Sequence, residues 1–245
     1  MIYVMSDIHG NKKNFDSIME QISLQPDDTL YILGDVVDRH SHGIELLQII
    51  KEMPNVKMLL GNHEYMMLNV VGRPYNRDNG LENWYYMRKL DLWYSNGGSI
   101  THQEFEKLNE VDRTDLLCYL NGLPVSADVE LNGTKFKLVH AAPPEMFVPK
   151  VTHYKDERQY AVWCRLKPED DIPEGYTLIF GHTPTVHFQD DDILRIWYGK
   201  NRIGIDCGSG FPVMRKTLNI GRLACLRLDD MTEFYSEAEN NDEVS

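Results

Sequence analysis

The chain has 245 residues, with 38 acidic against 25 basic side chains and a formal charge of −13. That length buries a sizeable core, and 42% hydrophobic with 26% charged residues is the composition of a soluble globular chain. The negative charge disfavours nucleic acid and membrane surfaces as partners, unless a local basic patch or bound cation reverses it.

The opening run MIYVM is apolar throughout and reads as a strand buried on both faces. It leads directly into Asp7, Ile8, His9 and Gly10. Polar residues arriving this early give no sign of a secretory leader. Asn14 to Leu24 then reads as a helix, with Phe15, Ile18, Met19 and Ile22 at helical spacing. A turn at Pro26-Asp27-Asp28 precedes a second buried strand, Leu30 to Leu33, which ends at Gly34-Asp35. Ile44 to Ile50 is a second helix, and Val56 to Leu60 a third strand ending at Gly61-Asn62-His63. This alternation of strand and helix predicts a parallel sheet.

The middle of the chain, to about Gly122, has no strand signal; Leu81–Leu90 and Asp112–Leu120 read as helical. From Val125 the pattern alternates on both sides of Asn132-Gly133, a strong hairpin signal. Further strands are expected at Tyr176–Phe180, Ile193–Trp197, Arg202–Ile205 and Leu223–Leu228. With no repeat or linker, we expect one domain over 1–232 and an acidic, frayed tail over 233–245. No apolar run approaches the roughly 20 residues of a membrane helix. Cys118, Cys164, Cys207 and Cys225 lie far apart without a C-x-x-C pair, which argues against a zinc knot and suits a reducing cytoplasm.

Five strands end in the same kind of residue: Asp7 and His9, then Asp35 with Asp38 and Arg39, then Asn62 and His63, then His140, then His182. Taken singly, an Asp or Asn beside Gly is ordinary turn chemistry, and a lone His is more often a satisfied edge residue. Five in order, each closing an apolar run, point to one site at the carboxyl edge of the sheets. The donors are oxygen and nitrogen with no thiolate, which suits Mn²⁺, Fe²⁺ or Zn²⁺ better than Ca²⁺. The D-x-H spacing is expected to put both side chains on one face of an extended segment, with Gly10 letting the backbone turn behind them.

SDIHG (6–10), GDVVDRH (34–40), GNHE (61–64), LVHA (138–141) and FGHT (180–183) resemble, in order and spacing, the motifs of calcineurin-like metallophosphoesterases of the phosphoprotein phosphatase branch. NGG (96–98), VWCR (162–165) and IDCGSG…GRLACLRL (205–228) are similar to later landmarks of its bacterial members. The resemblance implies an α/β sandwich of two mixed β-sheets flanked by helices. It also implies a centre of two divalent cations, taken as Mn²⁺ with Fe or Zn as alternatives. Asp7 and His9 would hold the first cation, Asp35 would bridge, and Asn62, His140 and His182 would complete the second. His63 would be the general acid oriented by Asp38, and Arg39 and Arg165 would hold phosphate. Hydrolysis would proceed by direct attack of a metal-bridging hydroxide.

The sequence departs from the branch at His40, where Gly is usual, at Ser6, and at Ala141-Ala142; none removes a ligand or the acid. The activity implied is a metal-dependent serine/threonine protein phosphatase. A dinucleoside polyphosphate hydrolase is the alternative, and a non-catalytic phosphate-binding scaffold a distant third. The partner is then a phosphorylated protein or small phosphorylated substrate. The aromatic group Trp84, Tyr85, Tyr86, Trp93 and Tyr94 is expected to pack in the core; its other reading is a wall of the substrate groove, with Arg73, Arg77 and Arg88 nearby. Cys118, Cys164 and Cys207 are expected to be buried structural residues.

Overall fold

The computed structural model describes residues 1–72, 79–190, 193–211 and 221–237. Strands β1 (Ile2–Met5), β2 (Thr29–Ile32) and β3 (Val56–Met58) run parallel. With β9 (Ala224–Arg227) and β10 (Thr232–Tyr235), both joined antiparallel, they form a sheet of order β10-β9-β1-β2-β3. The second sheet, β4-β5-β6-β8-β7, has a parallel centre of β5 (Thr134–Val139), β6 (Thr177–Phe180) and β8 (Arg202–Gly204). Strands β4 (Ser126–Leu131) and β7 (Trp197–Gly199) flank it antiparallel. These are the two mixed sheets expected from the sequence.

The alternation within each strand builds the layers. Val4, Tyr31 and Leu33 of the first sheet meet Phe136, Leu138 and Ile179 of the second in the sandwich interior. Tyr3, Met5, Leu30 and Ile32 face the other way and pack against helices. Tyr3, Val4 and Met5 of MIYVM are thus buried on both faces because the strand is central to one sheet and lies between two layers, while Met1 is exposed. The helical layer comprises α1 (Lys12–Ile22), α2 (Gly43–Glu52), α3 (Asn62–Val71), α4 (Gly80–Ser95), α5 (Ser99–Lys107) and α6 (Glu110–Gly122). Helix α1 starts where the Asn11 side chain accepts the Asn14 N–H, and it buries Phe15, Ile18 and Ile22. Helix α7 (Glu157–Trp163) places Tyr160 on the outer face of the second sheet, against Val139, Leu178 and Phe180. The β4–β5 hairpin turns at Asn132 and Gly133, both at positive φ, as that dipeptide predicts.

Several expectations are corrected. Residues 193–197 are not a strand up to Trp197, although Leu194 and Ile196 are buried in the expected alternation. Side chains take the place of a neighbouring strand there: Gln189 Nε2 donates to the Arg195 carbonyl, Arg222 Nε to that of Leu194, and Ile196 N–H donates to the Tyr235 hydroxyl. The acidic tail does not begin to fray at Glu233, because Phe234 and Tyr235 pair with Cys225 and Ala224 in β10, and Ser236 is buried. Of the aromatic group only Trp93 is fully buried; Trp84, Tyr85 and Tyr94 are exposed, and Arg88 stacks over Trp84. Cys118 is exposed and Cys164 half-buried, while Cys207 and Cys225 are buried; all four are free thiols. Arg73 and Arg77 lie outside the described residues.

Candidate active site

All five loops that carry the candidate ligands leave the carboxyl ends of β1, β2, β3, β5 and β6. Parallel pairing within each sheet, and packing of the sheets, brings those ends together. The loops are tight. Asp7, His9, Asp35, Asp38, Arg39 and His182 all have φ between 53° and 74°, a left-handed region that non-glycine residues seldom adopt. The D-x-H pair therefore shares a site for a different reason from the one expected. Its residues are not in an extended segment; each is turned by a left-handed backbone, held where Asp7 N–H donates to Gly34 O and His9 N–H to Asp35 O.

At the centre is one oxygen. Asp35 Oδ2 lies 3.4 Å from His140 Nε2, 3.8 Å from His9 Nε2 and 3.8 Å from His63 Nε2. His9 and Asp7 meet at 3.8 Å, and His140 Nε2 lies 2.9 Å from Asn62 Oδ1. Two groups of potential ligand atoms result, His9–Asp35–His63 and Asp35–His140–His182, each within 4.8 Å internally, and all these residues are buried. His9 Nδ1 donates to Val37 O and His140 Nδ1 to Leu33 O, which directs Nε2 of each ring into the centre. His182 Nε2 is buried with no hydrogen-bond partner among the described residues. An orphaned imidazole nitrogen and a knot of mutually facing lone pairs are what a cation would satisfy. The donor set, carboxylate, imidazole and amide without thiolate, fits hard-to-borderline divalent ions.

The electrostatics follow the same logic. Burial pushes the Asp35 carboxyl up, but the imidazoles of His140 and His63 outweigh it and hold it well below the usual carboxylate range. Burial, then the charges of Arg39 and His63, push His9 well below its ordinary value; burial, then His140 and Arg165, do the same to His182. Both rings are thereby kept neutral, the state a metal ligand needs.

His63 is different. Its Nδ1 lies 2.6 Å from Asp38 Oδ2, and both residues are buried. Burial lowers its proton affinity, but the carboxylates of Asp35 and Asp38 outweigh burial and raise it. Although His63 falls geometrically in one ligand group, it is an imidazole committed to a carboxylate and able to keep its proton. Arg39 is exposed, with Nη2 3.3 Å from His63 Nε2 and its guanidinium 5.8 Å from the Phe211 ring centroid. Arg165 is also exposed, and its Nη1 donates to the carbonyl of His182 and to Thr183 Oγ1. Both cations flank the centre. His40, where the family usually has Gly, places its Nδ1 3.1 Å from the His9 carbonyl oxygen, tying the second loop to the first.

The family's sequence profile matches residues 1–205. The chain belongs to the calcineurin-like phosphoesterase family. Members work with a binuclear divalent metal centre, which the His/Asp groups here fit. This phosphoesterase is 29% identical over 193 residues to serine/threonine-protein phosphatase 2 of Salmonella typhimurium, covering 74% of this chain and 78% of that one. It is 37% identical over 73 residues to the symmetrical bis(5'-nucleosyl)-tetraphosphatase of Haemophilus ducreyi, a match spanning 29% of this chain and only 27% of that protein's length. A serine/threonine phosphatase structure from Saccharomyces cerevisiae shares the fold at a TM-score of 0.57, with 13% identity and coverage of 98% and 81% of the two chains.

Two further features of the site were not assigned from the sequence. Glu64, inside the GNHE motif, accepts the backbone N–H groups of Asp35, Val36, Val37 and Gly61. Burial, then the Asp35 charge, push its carboxyl up to about 7. Gly61 sits so close that a Cβ there would lie 2.2 Å from Asp35 Oδ1. Beside the centre opens a cleft of about 620 Å³, lined in part by Tyr65, Met66, Leu92, Tyr154, Lys155 and Trp163. Trp163 joins it to the centre, its ring centroid 6.2 Å from that of His182. No helix among the described residues is long and apolar enough to cross a membrane.

Proposed function

We propose that this phosphoesterase is a metal-dependent phosphatase acting on phosphoserine and phosphothreonine of proteins. The observation that carries this reading is the His63–Asp38 pair at 2.6 Å. A serine or threonine alkoxide is a far poorer leaving group than a phosphate anion, so its departure needs a proton supplied in the transition state. A buried imidazole held by a carboxylate is built to supply one. The similarity to the Salmonella protein phosphatase, running across three-quarters of each chain, supports the same reading.

Asp7, His9 and Asp35 would hold one divalent cation, and Asp35, Asn62, His140 and His182 a second, with Mn²⁺ our assignment. Such a pair, when bound, makes water nucleophilic near neutral pH and neutralises phosphate oxygens. The protein does the rest. Arg39 and Arg165 receive the phosphate oxygens with planar donor pairs. His63, charged with a proton on each nitrogen beside the Asp35 and Asp38 carboxylates, delivers the Nε2 proton to the leaving oxygen, while Asp38 holds Nδ1–H and so aims the ring. The cationic centre lets an acidic protein bind an anionic substrate. Four unpaired thiols suit the cytoplasm as its place of work.

A second reading is hydrolysis of dinucleoside polyphosphates. The cleft beside His182, with Trp163 and Tyr154 in its wall, is of a size and character to take a nucleobase. The deciding experiment compares hydrolysis of a phosphothreonine peptide and of diadenosine tetraphosphate with Mn²⁺, against a chelator control. A tenfold or greater preference in kcat/KM for the peptide, about 1.4 kcal/mol, is expected. Preference for the dinucleotide would replace the first reading with the second.

A further inference from the structure

The acid pair has a third member. Trp93 Nε1 donates to both oxygens of Asp38, at 2.9 Å to Oδ2 and 3.1 Å to Oδ1. Oδ2 is the oxygen that also meets His63 Nδ1. Trp93 and Asp38 are each 0% exposed, so no water solvates this carboxylate from outside. Its orientation is set by the two ring N–H groups that reach it.

The surrounding chain is arranged to keep the indole there. The Asp38 N–H donates to Thr101 Oγ1 at the start of α5, which fixes the residue at φ 74°. The turn that joins α4 to α5 is NGG. At Gly98 a Cβ would lie 2.3 Å from both Trp93 Nε1 and Cδ1, so only glycine lets the backbone pass over the indole's N–H edge. The preceding residue, Gly97, accepts the Arg39 N–H through its carbonyl. His102 lies against the indole, ring centroids 5.2 Å apart, and is itself held by the Tyr94 hydroxyl at 2.8 Å. One short segment therefore holds both the carboxylate behind the acid and the backbone of the phosphate arginine.

A buried tryptophan packed only for its volume would give its N–H to any nearby carbonyl. Here the acceptor is the group that aims the acid, and the donor reaches both of its oxygens. We propose that Trp93 is a positioning residue for catalysis: its indole N–H locks the Asp38 carboxylate, and through it the direction in which His63 offers its proton. Without that donor the carboxylate rotates about its last bond, and the imidazole loses its fixed aim at the leaving oxygen. This rests on His63 being the acid, as argued above.

The test replaces Trp93 with benzothienylalanine, an isostere in which sulfur stands for the N–H, alongside Trp93→Phe and His63→Asn, each as Mn²⁺-loaded full-length protein. Activity is read across aryl phosphates from p-nitrophenyl to phenyl, with kcat and KM separated and unfolding temperature recorded. We expect kcat for phenyl phosphate to fall about tenfold in the isostere, KM to stay within twofold, and p-nitrophenyl phosphate to be nearly unaffected, since a good leaving group needs little acid. Equal losses on both esters, or none, would overturn the proposal, as would a change confined to KM. The isostere decides if Trp93→Phe unfolds. If His63→Asn itself loses activity equally on all esters, the acid assignment falls and the Trp93 proposal with it. If His63→Asn is sensitive to the leaving group and the isostere is not, Trp93 alone is overturned.

Discussion

Glu64 and Asp35 are 29 residues apart in sequence, yet the Glu64 carboxylate accepts the Asp35 backbone N–H at 2.9 Å. The candidate bridging residue is thus held from behind by a side chain of the neighbouring motif, which also gathers Val36, Val37 and Gly61. Glu64→Gln replaces one acceptor oxygen with an NH₂ facing donors. Loss of charge-assisted bonds costs about 1.5–3 kcal/mol each, and leaving a buried donor unmet about 1–3. We expect a lowered unfolding temperature together with a weakened Mn²⁺ affinity, read by calorimetry and metal analysis. A variant that keeps both would show that the four N–H groups find other partners.

Asp35→Ala removes the oxygen on which three imidazoles converge. The variant is expected to retain neither cation after desalting and to show no turnover. Metal content by mass spectrometry is the direct check, and a loaded, active variant would exclude a bridging role.

His63→Asn leaves the proposed ligands Asp7, His9, Asp35, Asn62, His140 and His182 in place. It should retain its metal and lose about 10²–10⁴-fold in kcat on a phosphothreonine peptide. Its loss on p-nitrophenyl phosphate should be much smaller. Normal turnover on the peptide would remove His63 from the chemistry.

Thiol labelling tests the packing independently of activity. Burial pushes the Cys207 and Cys225 thiols well above their ordinary value, so little thiolate forms at neutral pH. Cys118 is exposed and Cys164 half-buried. With an aromatic disulfide reagent at pH 8, Cys118 should react first, and Cys207 and Cys225 only on unfolding. Fast labelling of all four would mean that both the sandwich interior around Cys207 and the first sheet at Cys225 open readily.

The convergence of the candidate site could be read from the sequence because each of its loops is announced twice, by an apolar strand before it and by a donor residue after it. Strand ends such as Val139-His140 and Phe180-Gly181-His182 therefore located themselves. What periodicity could not supply is backbone hand: nothing in D-x-H distinguishes an extended pair from two left-handed residues. Nor could it supply the partner of a buried tryptophan. Trp93 and Trp84 look alike in sequence, yet one is sealed against Asp38 and the other half exposed. The missed strand β10 failed for another reason. Its alternation, Phe234 inward and Glu233 outward, was present but outweighed by the acidic composition around it.

The six left-handed residues of the site have a consequence for how this enzyme fails. A side chain forced into that region costs on the order of 1 kcal/mol or more. Six together reach several kcal/mol, a large part of the roughly 5–15 kcal/mol by which a domain of this kind is stable. The two sheets hold those loops as clamps hold bent springs. Anything that loosens the clamps, even a cavity in the sandwich interior far from any ligand, lets the springs relax before the sheets part. Activity should then vanish at denaturant concentrations where the circular dichroism of the strands is still unchanged.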